Sequence, residues 1–195
     1  MFDAFTAPDI AVLERHVDAR THTKDLASFA RYHGYEPALH HQLLCDALDR
    51  IATEGGQKIM LFLPPGSAKS TYSSVLFPAY FEGKFPGRQL ITACHTDDLA
   101  KHFGRRVRQI AREPGYQDLF GCTLTPGMEA ATEWSLTNGS EYKATGIGGP
   151  LSGRRADVLL IDDPVKDMES ALSPVMREKT YDWYKSVALT RLRHG

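Results

Sequence analysis

Lys69, Ser70 and Thr71 follow Phe62-Leu63-Pro64-Pro65-Gly66-Ser67-Ala68 directly. A lysine followed by two hydroxyls, between an apolar run and an amphipathic stretch, can hold a phosphate. Backbone N–H groups wrap the phosphate oxygens at a helix start, the ammonium reaches the terminal phosphates, and the first hydroxyl ligates magnesium. The usual spacing, G-x-x-x-x-G-K-[ST], puts glycines where Leu63 and Ala68 stand. The strict pattern therefore fails. The physical demand is looser: Gly66 supplies one permissive backbone position, and alanine is the smallest alternative at 68. Pro65, Gly66, Ser67, Ala68, Lys69, Ser70 and Thr71 form a candidate nucleotide loop. The bland alternative is a proline-glycine turn with a lysine at a helix start.

A second constellation lies further along. Val158-Leu-Leu-Ile-Asp162-Asp163 is an apolar run ending in two carboxylates. A buried strand of this kind projects its acids at the carboxyl end of a sheet, where α/β proteins bind ligands. Asp162 is the candidate magnesium ligand beside Ser70. Asp163 is the candidate catalytic acid, placed to orient or deprotonate water, with Lys69 the second catalytic group. Many ATPases of this kind place glutamate at the second position, and the shorter aspartate requires water to sit differently. Together the two constellations imply ATP and Mg2+ as cofactors and an ATP hydrolase as the enzyme class.

These residues need elements to hold them. The patterning predicts short helices over 8–19 and 24–33. A longer helix over 37–53 carries Leu43, Leu44, Ala47, Leu48 and Ile51 at helical spacing and stops at Gly55-Gly56. Strands are expected at 58–63, 88–94 and 156–162, a hairpin over 132–136 and 141–145, and helices over 69–80 and 96–112. A last helix, capped by Ser173, should turn Val175, Met176, Trp183, Tyr184 and Val187 inward. Apolar strands alternating with helices predict an α/β layer sandwich with a mostly parallel sheet. With the phosphate loop, that becomes a P-loop NTPase three-layer sandwich of the RecA/ASCE-like kind. Residues 1–36 form an expected N-terminal helical segment and 37–195 the ATPase domain.

The totals narrow the class. A net charge of -1 over 195 residues excludes a bulk field for nucleic acid, so any such binding needs a local patch. Cys45, Cys94 and Cys122 are odd in number and widely spaced, which argues against a disulfide framework or zinc site and fits a reducing compartment. Cys94 and Cys122 read as packing residues without chemistry. His40 and His41 are adjacent, point about 100° apart on a helix, and chelate poorly together. No run reaches the roughly 20 apolar residues of a membrane span, so no membrane partner is expected.

Several stretches together resemble the ATPase domain of the large terminase subunit of tailed bacteriophages and prophages. They are His40-His-Gln-Leu-Leu44, Pro64 to Thr71, Thr92-Ala-Cys-His-Thr-Asp-Asp-Leu-Ala100, Gly146 to Gly153 and Leu159-Leu-Ile-Asp-Asp-Pro164. The resemblance covers about residues 35–190. It implies a motor that uses ATP to translocate double-stranded DNA into a capsid from the bacterial host cytoplasm. The implied partners are the portal protein at the procapsid, the small terminase subunit and further copies in a homo-oligomeric ring. It implies that Gln42 contacts adenine, which an amide can do by donating and accepting at once. It also implies that Arg154 or Arg155 reaches a neighbouring subunit's γ-phosphate, a role that shares the field with a plain basic loop. The family's nuclease domain has no counterpart in these residues. The alternatives are another P-loop or helicase-like translocase, or a nucleotide-binding module inactive outside its ring.

The stretch 96–112 segregates its residues. Leu99, Phe103, Val107 and Ile110 make an apolar face, while Lys101, Arg105, Arg108 and Arg112 form a basic stripe flanked by Arg106. Such a stripe suits sequence-independent contacts to DNA phosphates, and equally a solvated helix face.

Overall fold

The computed structural model describes residues 17–193 except Ser152. Its sheet is built outward from Gln89–Cys94 (β1). Every second side chain there, Leu90, Thr92 and Cys94, faces one layer, and Ile91 and Ala93 face the other, all five of them buried. β1 runs parallel to Glu141–Gly146 (β4) on one side and to Val158–Asp162 (β5) on the other, so Thr92 sits between Ala144 and Leu160. Glu133–Leu136 (β3) pairs antiparallel with β4, and Leu124–Glu129 (β2) pairs antiparallel with β3. The order is β2-β3-β4-β1-β5.

The sheet is mixed, and this overturns the expected mostly parallel, RecA-like sandwich. Two causes are visible. The expected strand at 58–63 does not join the sheet. Ile59, Leu61 and Leu63 are turned partly inward, but no strand pairs with the segment among the described residues; Met60 and Phe62 are 82% and 86% exposed. Meanwhile the predicted hairpin, β3 and β4, is fused to β1 and extended by β2. That edge strand contains Pro126 and Gly127, which disguise it in the sequence. Proline lacks the ladder N–H and is tolerated at an edge.

Helices cover the sheet unevenly. On one face lie Leu26–Tyr32 (α1), Leu39–Glu54 (α2), Asp97–Ala111 (α4) and Pro114–Phe120 (α5), together with a helix in three unbroken pieces that we call α3. Its pieces are an α turn Lys69–Thr71, a π turn Tyr72–Leu76 and an α segment Phe77–Lys84. Phe29, Leu44, Leu76, Phe77, Phe103 and Val107 pack there against Leu90, Tyr142 and Val158. The opposite face is covered over β1 and β5, where Trp183 and Ala188 close on Ile91, Ala93 and Ala156. Trp183 ends Pro174–Trp183 (α7), which follows the short Met168–Leu172 (α6).

The helix caps follow the chemistry of their first residues. Asp25, Thr96 and Ser173 each accept a backbone N–H of the first turn. Three inward assignments fail: Leu43, Val175 and Met176 are exposed, while Leu44, Leu48 and Trp183 carry the packing. The expected helix over 8–19 falls mostly outside the described residues; 17–22 are helical. Within α3, the Glu82 carboxyl is fully buried near Tyr116 and Tyr142 with neither oxygen hydrogen-bonded, and burial raises its pKa well above the carboxylate range.

Candidate functional site

The parallel strands β1, β4 and β5 end together, and the candidate residues collect at that end. β1 delivers His95 and the start of α4, β4 delivers Gly146, and β5 delivers Asp162 and Asp163. Gly146 donates its N–H to Asp97 Oδ1 at 2.6 Å. A Cβ at Gly146 would meet Asp97 N at 2.8 Å, so only glycine lets β4 approach α4 this closely. The candidate nucleotide loop, 65–71, meets this cluster through Lys69 at the start of α3. Lys69 Nζ lies 3.1 Å from Asp163 Oδ1, closing a link between groups 94 residues apart in sequence.

Two backbone conformations mark the same place. Ala68 (φ 56°) and Asp163 (φ 45°) are the two non-glycine residues with left-handed φ among the described residues. Each such residue costs on the order of 1 kcal/mol or more and persists where the surroundings impose it. Ala68 answers the puzzle of the absent glycine: the loop adopts the glycine-like conformation with an alanine in it. Gly66 is left-handed as well (φ 79°). The N–H groups of Gly66, Ala68, Lys69 and Ser70 donate no hydrogen bond among the described residues, while Ser67 N–H turns back to Pro64 O. Left-handed residues alternating with ordinary ones gather free N–H groups into an anion-binding concavity.

The carboxylates divide their roles. Asp162 is 4% exposed, and its Oδ2 accepts the Ser74 hydroxyl at 2.7 Å. Asp163 is exposed, and its carbonyl lies 3.1 Å from His95 Nδ1. Sequence reasoning anticipated neither Ser74 nor His95. Ser74 lies on the π turn, whose extra residue per turn alters which side chains meet β5, and π turns carry no simple sequence signal. Cys94, at the end of β1, is buried, and that burial together with Asp162 and Asp163 pushes its thiol up to about 12, which fits a packing role.

Magnesium takes oxygen ligands and commonly binds through one or two carboxylates plus phosphate oxygens. Asp162, and Ser70 one turn before Ser74 on α3, supply oxygens of that kind. Among the described residues no group of three or more His, Cys, Asp or Glu forms a cage of its own. Asp162 and Ser70 are oxygen donors of the kind magnesium takes.

The remaining candidates are dispersed. Gln42 is half-buried, and its Nε2 donates to Pro37 O at 3.1 Å, so half of its amide is already engaged. Arg154 and Arg155 lie before β5, at the end of that strand opposite to Asp162. Arg154 bonds Glu133 and lies 3.7 Å from Glu141, whereas Arg155 is exposed with one long contact to Thr190 O at 3.4 Å. Among the described residues neither bonds to the candidate loop 65–71 of its own chain.

On α4, Leu99, Phe103, Val107 and Ile110 turn toward the core as expected. The basic stripe is only partly free. Arg108 donates to Glu129 O, Arg112 pairs with the Glu129 carboxylate, and Lys101 lies 3.7 Å from Asp98, while Arg105 and Arg106 have no acidic partner among the described residues. No helix among the described residues is long and apolar enough to cross a membrane. No protein-family model and no curated protein matches the chain.

Proposed function

We propose that this chain is an ATP-hydrolysing motor domain of the terminase type, which couples turnover to movement of double-stranded DNA into a capsid. The observation that carries the nucleotide reading is the Lys69–Asp163 pair, with a left-handed residue at Asp163 and another immediately before Lys69. The DNA-packaging part rests on the resemblance of motifs and on the exposed Lys101 and Arg105 of α4.

The groups suggest an order of events. A nucleotide's terminal phosphates enter the cradle of free N–H groups and compete with Asp163 for Lys69. The ammonium turns to the phosphate, and Asp163 is released to orient an attacking water. Asp162, held by Ser74, and Ser70 would hold magnesium, which when bound would neutralise charge developing on the phosphates. Arg155 is the freer of the two arginines and serves a neighbouring copy's nucleotide in a ring at the portal, with the small terminase subunit as a further partner. Arg154 braces Glu133 and Glu141. Gln42 offers its remaining amide oxygen to adenine. The setting for this work is the bacterial host cytoplasm.

The test is calorimetric binding of magnesium with a non-hydrolysable ATP analogue, followed by turnover with and without double-stranded DNA. Binding lost in Lys69→Ala and turnover stimulated by DNA is the expected result. Equal binding in wild type and Lys69→Ala overturns the nucleotide reading; binding without any DNA stimulation, at protein concentrations that support assembly, overturns the motor reading.

A further inference from the structure

A phosphate cradle works only if its N–H groups are aimed before the ligand arrives, and in this loop the aiming comes from outside it. His41, half-buried at the start of α2, makes two hydrogen bonds. Its Nδ1 lies 3.2 Å from Ala38 N and its Nε2 lies 2.9 Å from Ser67 O. The partners fix the proton. A backbone N–H can only donate and a carbonyl can only accept, so Nδ1 is the acceptor and Nε2 carries the hydrogen. His41 thus makes the return bond to the N-cap that Glu or Gln usually supplies from that position. The ring also stacks on Tyr72, with centroids 4.4 Å apart and an 18° interplanar angle. Tyr72 is buried and opens the π turn of α3. One imidazole therefore touches the start of α2, the loop, and the helix that follows the loop.

The Ser67 bond has a geometric consequence. In a planar trans peptide the carbonyl of Ser67 and the N–H of Ala68 point in opposite directions. A carbonyl held toward His41 aims the Ala68 N–H away from it, into the loop. This is also the peptide that leads into the left-handed Ala68. We propose that His41 is the positioning residue of the phosphate loop, which sets the Ser67–Ala68 peptide so that the Ala68 N–H faces an incoming phosphate. The proposal rests on reading the loop as a phosphate site.

The test uses two substitutions that split the ring's functions. In His41→Gln the amide nitrogen can occupy the place of Nε2 and still donate to Ser67 O. In His41→Asn the shorter side chain can serve only the Nδ1 place. Hydrogen exchange at the amides of 66–69 is followed in nucleotide-free protein, and binding of magnesium with a non-hydrolysable ATP analogue is measured beside Lys69→Ala. His41→Asn is expected to speed exchange in the loop and weaken binding by roughly five- to tenfold, about the worth of one lost hydrogen bond. His41→Gln is expected to stay within about twofold of wild type in both, at a thermal midpoint no higher than that of His41→Asn. Unchanged loop exchange in His41→Asn, or identical behaviour of the two variants, overturns the proposal. If Lys69→Ala loses binding while His41→Asn keeps it, His41 alone is refuted. If Lys69→Ala also binds like wild type, the phosphate-site reading falls and the role of His41 falls with it.

Discussion

The two ends of β5 are built on opposite principles. At its start, nearly every charge is answered. Arg154 meets Glu133 and Glu141, Lys143 meets Glu133 at 2.7 Å, and Asp157 takes Arg88, Arg193 and the Gln89 N–H. The Lys143 hydrogen bond, aided by the Arg154 charge, holds the Glu133 carboxyl below its usual range. At the other end, Ala68 and Asp163 sit in left-handed backbone, four loop N–H groups lack acceptors among the described residues, and one lysine is paired with one exposed acid. Satisfied ion pairs brace a fold. Strain and unmet donors gathered in one place are features that anion-binding loops use.

The comparison can be broken, and the largest effect is expected at the acid end. Asp163→Asn should cut ATP turnover by about 10²- to 10⁴-fold, the range for losing a positioned acid–base group, while nucleotide affinity holds or rises because a competitor for Lys69 is gone. Steady-state turnover and calorimetry separate the two. Next come the arginines. Arg155→Ala should lower turnover only under conditions where copies assemble, with thermal stability unchanged. Arg154→Ala should lower the thermal midpoint through loss of its two carboxylate partners. An equal loss of turnover in both would erase the distinction between bracing and catalysis.

Charge reversal of Lys101 and Arg105 tests the surface beside the acid end. DNA affinity should fall and the salt dependence should flatten by about two phosphate contacts, read by fluorescence anisotropy across salt concentrations. Arg108→Glu should do less to the slope, since Arg108 already bonds Glu129. A smaller effect is expected in the core. Burial disfavours the charged form of the Glu82 carboxyl and raises its folded pKa above its unfolded one, so its contribution to stability is fully present below the unfolded pKa and is lost as pH rises toward the folded one. Glu82→Gln should therefore gain stability at pH 7 relative to wild type, and the gap should shrink toward pH 4, as seen in thermal melts. The smallest is Ala68→Gly: relief of left-handed strain, offset by unfolded-chain entropy, leaves a gain of about 0.5–1 kcal/mol.

Much of the candidate site is legible in the sequence because its residues stand in short local runs. The lysine, the hydroxyls and the paired carboxylates stand in short runs, and apolar strands flank them. The strands at 89–94 and 158–162 and the 133–146 hairpin were legible for the same reason: continuous apolar runs and the Asn138-Gly139 turn leave a local trace. The sheet's composition was not. Whether an apolar run joins a sheet depends on finding a partner edge, and residues 58–63 look like a buried strand by content alone. Leu124–Glu129 looks like a turn by its proline and glycine, yet pairs. His41 was set aside as a poor metal ligand, because its value lies in two backbone groups that no sequence pattern displays. The π turn that brings Ser74 to Asp162 was hidden for the same reason.

The unjoined segment has a colloidal consequence. β5 lies at the sheet edge with no further strand paired to it among the described residues, and residues 58–63 leave Met60 and Phe62 in water. An open edge and an unpaired apolar ribbon are the features through which β-rich proteins stick to one another. Concentrated solutions of this chain should therefore scatter light more strongly than dilute ones, and a single lysine in place of Phe62 should keep them clear.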